Sequence, residues 1–295
     1  SYDRYKTDFE RFFKDTKIYN TKFKYITEDM LEDFIKTSIH DKKLTAKAWG
    51  GLRILINGIF KYAKKKGYTN ISITQFMGDL DLSNNIFARK KKVKAEDSIF
   101  SNTEVSILTN YINDRELSII NLGILLAFET GLRAGELSSL TWSDFNGKTL
   151  SINKTEIRYR GKDGKYVYEV SDTTKTAAGE REVILSDNAI MLLRKIRSIN
   201  AFGEYMFMRD GKRIKAKGFT TKLVRMCKRL NISPKSAHKL RKTYATKLID
   251  GGVDEWLVTD QLGHTDISTS KKYYYFHRKE EEYDREQIQK ALNYG

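Results

Sequence analysis

Apolar side chains in the first ninety residues recur every three or four positions. In "LTAKAWGGLRILINGIFKYAKKKGYTN", Trp49, Leu52, Ile56, Ile59, Phe60 and Ala63 fall on one helical stripe, which we read as core. Thr45 ahead of the stripe predicts an N-cap, and Gly67 behind it a stop. Off the stripe lie Lys47, Asn57, Lys61, Lys64 and Lys65, suited to a DNA groove or its phosphates, with an ordinary solvated face as the alternative. "ARKKKVKAED" (Ala88 to Asp97) breaks the periodicity with five basic residues, Lys90, Lys91 and Lys92 among them, and reads as a cationic interdomain linker. Beyond it, "TEVSILTNYIND" and "ELSIINLGILLAFETG" predict amphipathic to buried helices. The period then changes to two. "TLSINKTEIRY", "KYVYEVSD" and "EREVILS" alternate and are rich in β-branched residues, predicting one small antiparallel sheet. Helical patterns resume from Asn188, with Trp142 and Trp256 at the spacings of core residues and Tyr244 expected to be buried. The expected class is mainly α with a small antiparallel β-sheet (α+β). A helical domain over 1–88 is followed by a linker over 89–97, a larger domain over 98–278 and a tail over 279–295.

Composition narrows the function. Lys and Arg number 54 against 38 Asp and Glu, a net charge of +16, which predicts a polyanionic partner such as nucleic acid. The surplus is concentrated: residues 1–43 hold ten basic and nine acidic side chains, residues 44–97 eleven and four. A hydrophobic fraction of 40% can fill a core, and no run of about 18 apolar residues predicts a membrane span. The charged start, "SYDRYKTDFERFF", lacks the apolar centre of a signal peptide. One cysteine, Cys227, cannot make an internal disulfide and fits a reducing cytoplasm.

Metal and cofactor motifs are missing from the sequence. One cysteine and four histidines give no zinc spacing, and neither a phosphate-binding glycine loop nor a GxSxG serine elbow occurs. We therefore expect no metal and no cofactor. Chemistry is left to Arg, Lys, His and Tyr, which suits a phosphodiester: cations neutralise nonbridging oxygens and a tyrosine oxygen can attack phosphorus.

Four stretches carry these residues in order. They are "ETGLRAGELSSLTWSDF" with Arg133, "KTAAGEREVIL" with Lys175 and Arg181, "SAHKLRKTYATKL" with His238 and Arg241, and "LGHTDISTSKKYYYF" with His264 and Tyr273. Together they resemble the tyrosine recombinase (phage integrase) family over roughly 98–278, and residues 1–88 resemble, on weaker patterns, its helical core-binding domain. The resemblance implies a site-specific recombinase that cuts and rejoins duplex DNA through a 3′-phosphotyrosine, without ATP or catalytic metal. It implies that Arg133 and Arg241 grip the scissile phosphate and that Lys175 protonates the leaving 5′ oxygen. His238 would assist proton transfer, His264 would hydrogen-bond the phosphate, and Tyr273 would attack. Glu136 would support an arginine. Arg181 would contact DNA or a neighbouring strand.

Some alternatives stay open on sequence. Lys154, Lys162 and Lys165 also lie near sheet turns, and Tyr274 is the alternative nucleophile. The resemblance further implies paired recombination sites on double-stranded DNA, a homotetramer on that DNA exchanging its tail helices, a DNA-bending or directionality protein as accessory, and a place in the bacterial cytoplasm. A type IB topoisomerase and a catalytically dead DNA-binding relative are the rival readings; accumulation of covalent complexes and joining of two sites separate the three. The chain starts without an initiator Met, which we read as a trimmed protein, with a naturally short recombinase as the alternative.

Overall fold

The 20-residue stripe helix forms where the periodicity places it. Thr45 accepts a hydrogen bond from the Ala48 amide, the helix runs Ala46–Lys65, and the chain turns away at Gly67 with φ +72°. The computed structural model describes residues 2–89, 95–114, 117–172 and 179–263. The expectations for Lys90, Lys91, Lys92, Lys175, His264, Tyr273, Tyr274 and the tail over 279–295 lie outside them. Among the described residues, no helix is long and apolar enough to cross a membrane. The chain divides into two compact units, Ser1–Lys92 and Val93–Gly295.

The first unit is helical: α1 (Tyr2–Phe12), α2 (Glu28–Asp41), α3 (Ala46–Lys65) and α4 (Ile73–Asp79). Its core joins Phe12 and Phe13 of the α1 end to Leu31 and Ile35 of α2, Leu52, Ile56 and Phe60 of α3, and Phe76 of α4. Lys47, Lys61, Lys64 and Lys65 are exposed, as an amphipathic α3 requires. Asn57 is half-buried, and its Oδ1 has no hydrogen-bond partner among the described residues.

The second unit is built on a helix that is apolar all round. After α5 (Ala95–Ser98) and α6 (Asn102–Asn113), α7 (Ile119–Thr130) buries Leu122, Gly123, Ile124, Leu126 and Phe128 and packs against three later helices. These are α9 (Asp187–Ile199), α10 (Ala216–Arg229) and α11 (Ala237–Asp250). The short helix α8 (Ala134–Ser139) follows α7 at once, and α12 (Glu255–Leu262) closes the described chain.

The β segments depart from the expected single sheet. "TLSINKTEIRY" divides at Asn153–Lys154 into β1 (Thr149–Ile152) and β2 (Thr155–Arg160), which take different partners. β2 pairs with β3 (Tyr166–Ser171) as a hairpin, while β1 reaches past it to β4 (Arg181–Ile184) in register Thr149↔Ile184 to Ile152↔Arg181. A minimal ribbon of β5 (Met208–Arg209) and β6 (Lys212–Arg213) completes the strands among the described residues. Trp256 also departs from expectation: it is 72% exposed. It lies two positions before buried Val258, and two residues on a helix point nearly opposite ways. Tyr244 is buried and Trp142 is half-buried, its indole Nε1 donating to the Asn200 carbonyl at 2.8 Å.

Gly123 lets α7 sit against the edge-to-face rings of Phe207 and Phe219, whose centroids are 5.3 Å apart. A Cβ there would meet Phe219 Cε1 at 2.5 Å and Phe207 Cε1 at 2.8 Å. In an exposed helix Gly→Ala stabilises by roughly 0.5–1 kcal/mol, but overpacking a core costs about 1–3 kcal/mol. The overlap wins. Gly123→Ala should destabilise the protein in thermal or urea unfolding; a stabilised variant would show that the packing around α7 is looser than described.

Candidate active site

The site grows from the end of α7. Gly131 takes the left-handed conformation at φ +63°, and the Tyr244 ring lies so close to its Cα that a Cβ would sit 2.4 Å from Cδ1. The chain turns there and delivers Arg133 to the N-terminus of α8. One helical turn on, Glu136 reaches back: Oε2 accepts from the Arg133 amide at 2.9 Å and Oε1 from Arg133 Nη1 at 2.6 Å.

The same carboxylate takes a second guanidinium. Arg181 Nη1 donates to Oε1 at 3.2 Å and Nη2 to Oε2 at 2.9 Å. Glu136 therefore accepts from four N–H groups, about as many as its two oxygens have lone-pair sites. It is 3% exposed. Burial pushes its pKa up, but the hydrogen bonds and charge of Arg181, then the charges of Arg133 and Arg241, outweigh that and hold it at about 2.

Arg181 corrects the sequence reading. Its side chain is 2% exposed, so it presents nothing to DNA. Strand parity explains this: in β4, positions 181 and 183 face inward while 182 and 184 face out. Instead of a phosphate it holds protein, donating Nε to the Gln261 carbonyl at 2.9 Å and Nη1 to the Gly179 carbonyl at 3.2 Å. Gln261 was not foreseen either. Its Oε1 accepts from the Ile184 amide at 2.9 Å and its Nε2 donates to the Glu182 carbonyl at 3.4 Å, clipping the end of α12 to β4. The parity of Arg181 with Val183 was a readable signal; Gln261 had none.

α11 supplies the other foreseen residues. His238 and Arg241 lie one turn apart on it. Arg241 is 1% exposed and donates Nη1 to the Gly131 carbonyl at 2.9 Å and Nη2 to the Leu262 carbonyl. Arg181 and Arg241 thus bind the carbonyls of Gln261 and Leu262, the last two residues of α12, where cations also oppose the helix dipole. His238 is exposed by area, yet desolvation first, then the charges of Lys242, Arg241, Lys239 and Arg133, lower its pKa. It is therefore neutral at neutral pH and able to accept a proton.

The structure thus brings together Arg133, Glu136, Arg181, His238 and Arg241. Arg133 is the outward member, its side chain 44% exposed, with its orientation set by Glu136. A guanidinium held this way can fork onto phosphate oxygens. Of the three alternatives to Lys175, Lys154 is engaged with Asp144 at 2.9 Å and Thr141 at 3.0 Å. Lys162 and Lys165 lie in the exposed turn between β2 and β3.

Comparison with known proteins bears on the family of the chain. The profile of the phage integrase family matches residues 97–281. A XerC-like tyrosine recombinase of Caldanaerobacter subterraneus subsp. tengcongensis is 24% identical over 300 residues, spanning 92% of this chain and 72% of that protein. Tyrosine recombinase XerD of Oceanobacillus iheyensis is 30% identical over 254 residues, 79% of this chain and 80% of its own. In three dimensions, the Tn1549 transposon integrase in complex with transposon right end DNA superposes with a TM-score of 0.74 at 16% identity, covering 98% of this chain and 93% of that one.

Glu136 gives a pH dependence with a definite sign. Its depressed folded pKa contributes stability that is fully present above the ordinary carboxylate value near 4.5 and is lost as pH falls toward about 2. The contribution is about 3 kcal/mol at 1.36 kcal/mol per pH unit. Glu136→Gln should be strongly destabilised at neutral pH, by roughly 3–5 kcal/mol, because it leaves buried Arg181 without its counter-charge. The gap to the parent protein should narrow between about pH 4.5 and 2 in chemical denaturation; a gap independent of pH there would contradict the assigned charge state.

Proposed function

The chain belongs to the phage integrase family of tyrosine recombinases, enzymes that cleave and rejoin DNA at specific sites, and we propose that it integrates and excises a mobile DNA element through a 3′-phosphotyrosine intermediate. The observation that carries this reading is Arg133, held outward by a buried carboxylate in the same cluster as the His238–Arg241 turn. An anionic phosphate fits where cations outnumber their one shared carboxylate. A transposon integrase is among the solved structures that share this fold, and that is the ground for reading the substrate as a mobile element.

In this mechanism Tyr273 attacks the scissile phosphorus, forming the Tyr–O–P bond as the P–O5′ bond breaks. Neutral His238 receives the phenolic proton, and Lys175 protonates the departing 5′ oxygen. Arg133 neutralises charge on the nonbridging oxygens, with His264 adding a hydrogen bond, while buried Arg241, bound to the Gly131 and Leu262 carbonyls, adds its positive charge from behind. The phosphotyrosine conserves the energy of the broken ester, so a 5′ hydroxyl from a second site can reverse the step and exchange strands. Two paired duplex sites held by four protomers provide that second hydroxyl, with tail helices over 279–295 exchanged between neighbours and a DNA-bending accessory setting direction. Lys47, Asn57, Lys61, Lys64, Lys65 and the linker lysines Lys90, Lys91 and Lys92 serve as contacts to the duplex, in the bacterial cytoplasm.

A nicked substrate that loses its free 5′ hydroxyl traps the intermediate. Tyr273→Phe should bind duplex DNA as the parent does and form no covalent adduct, while Tyr274→Phe still reacts. The reverse pattern would move the nucleophile by one residue. Absence of an adduct from the parent protein on DNA recovered with it would defeat the reading.

A further inference from the structure

The β2–β3 hairpin sets its two exposed arginines on one face. Register places Arg158 opposite Tyr168 and Arg160 opposite Tyr166, so these four side chains share one face with Glu156 and Val170. Glu156, at the root, is taken up internally: Arg213 Nη1 donates to it at 2.6 Å, Ser138 Oγ at 3.1 Å and the Ala216 amide at 3.2 Å. That acid anchors the hairpin on α8 and α10 and leaves the outer part of the face cationic. Glu169 lies on the opposite face, where it accepts from Tyr159 at 2.6 Å.

Aromatic rings order the cations. The Arg158 guanidinium carbon lies 4.5 Å and that of Arg160 5.2 Å from the centroid of the exposed Tyr166 ring. Lys215 Nζ stands 4.1 Å from the centroid of Tyr168. Cation–π contact draws two like charges to one ring and limits their freedom, so less entropy is lost when an anion arrives. Residues two apart on a strand are about 6.8 Å apart, which lets Arg158 and Arg160 reach different phosphates of one backbone.

We propose that Arg158, Arg160, Tyr166, Tyr168 and Lys215 form a DNA-backbone-binding face, separate from the cluster around Glu136. The partner chemistry is a row of phosphodiesters: guanidinium groups take nonbridging oxygens in pairs, and tyrosine hydroxyls donate beside them. Duplex DNA fits better than an acidic protein segment because a two-stranded ribbon is slender enough for a major groove about 12 Å wide. Contacts of this kind hold the duplex without reading its sequence. The proposal rests on the reading that the chain acts on duplex DNA.

The test uses the full chain and a fluorescent random-sequence duplex. The Arg158→Gln/Arg160→Gln double variant should bind roughly tenfold or more weakly than the parent. The slope of log affinity against log salt should fall in magnitude by about 1.8, or 0.9 for each phosphate left without its cation. A photoreactive benzophenone side chain in place of Tyr166 should cross-link to the DNA. If the parent binds and the variant keeps its affinity and slope, the proposed face is wrong while the recombinase reading stands. A parent that binds no duplex sinks that reading itself. Cross-linking only to a second copy of the chain would assign the face to a protein contact and overturn the proposal, also where the variant has lost its fold.

Discussion

One buried carboxylate organises the second unit. Glu136 accepts four hydrogen bonds, two from Arg133 and two from Arg181. Removing such charges from water costs several kcal/mol per ion, and only near-complete satisfaction of the hydrogen bonds offsets it. The geometry meets that condition. The arrangement also joins distant chain segments, because its two guanidinium groups come from the start of α8 and from β4. Arg181 extends the link to the end of α12, where Arg241 meets it from α11. A single carboxylate cannot neutralise three arginines, and the excess positive charge persists where Arg133 reaches the surface.

The apolar helix α7 makes this rigid. Ten of its twelve residues are buried, and it ends in the tight turn at Gly131, whose carbonyl is bound by Arg241 and whose Cα is covered by Tyr244. Close-packed interiors transmit displacement, so the position of Arg133 is tied to the packing of the core behind it. Catalysis by phosphate-binding groups depends on such fixed placement, since dipoles set in advance need no reorganisation as charge develops.

Much of this was legible in the sequence where a residue's neighbours along the chain decide its environment. The α3 stripe, its Thr45 cap and the Gly67 stop follow from local periodicity. The "GLRAGEL" and "AHKLR" stretches pointed to Arg133, Glu136, His238 and Arg241 through their resemblance to the tyrosine recombinase family. Long-range pairing was not legible. The split of "TLSINKTEIRY" between two partners depends on β4, which lies beyond a hairpin. Arg181 was expected to contact DNA or a neighbouring strand, but its strand parity with Val183 turns it inward onto Glu136. Gln261 has neither periodicity nor motif to mark it, and its role exists only once α12 meets β4. Trp256 reads by its spacing as core, though α12 turns that side outward.

The account stands on Glu136 and Arg181 acting as one device that positions Arg133. The most direct measurement is the rate of covalent adduct formation on nicked DNA for Glu136→Gln, Arg181→Met and the double variant. Misplacing a catalytic group by about 1 Å can cost on the order of 10²-fold, so each single change should slow the step by about that factor. Groups that act as a unit do not add. The double variant should therefore be little slower than the slower single. Losses that multiply to about 10⁴-fold, or single variants that react at the parental rate, would contradict the account.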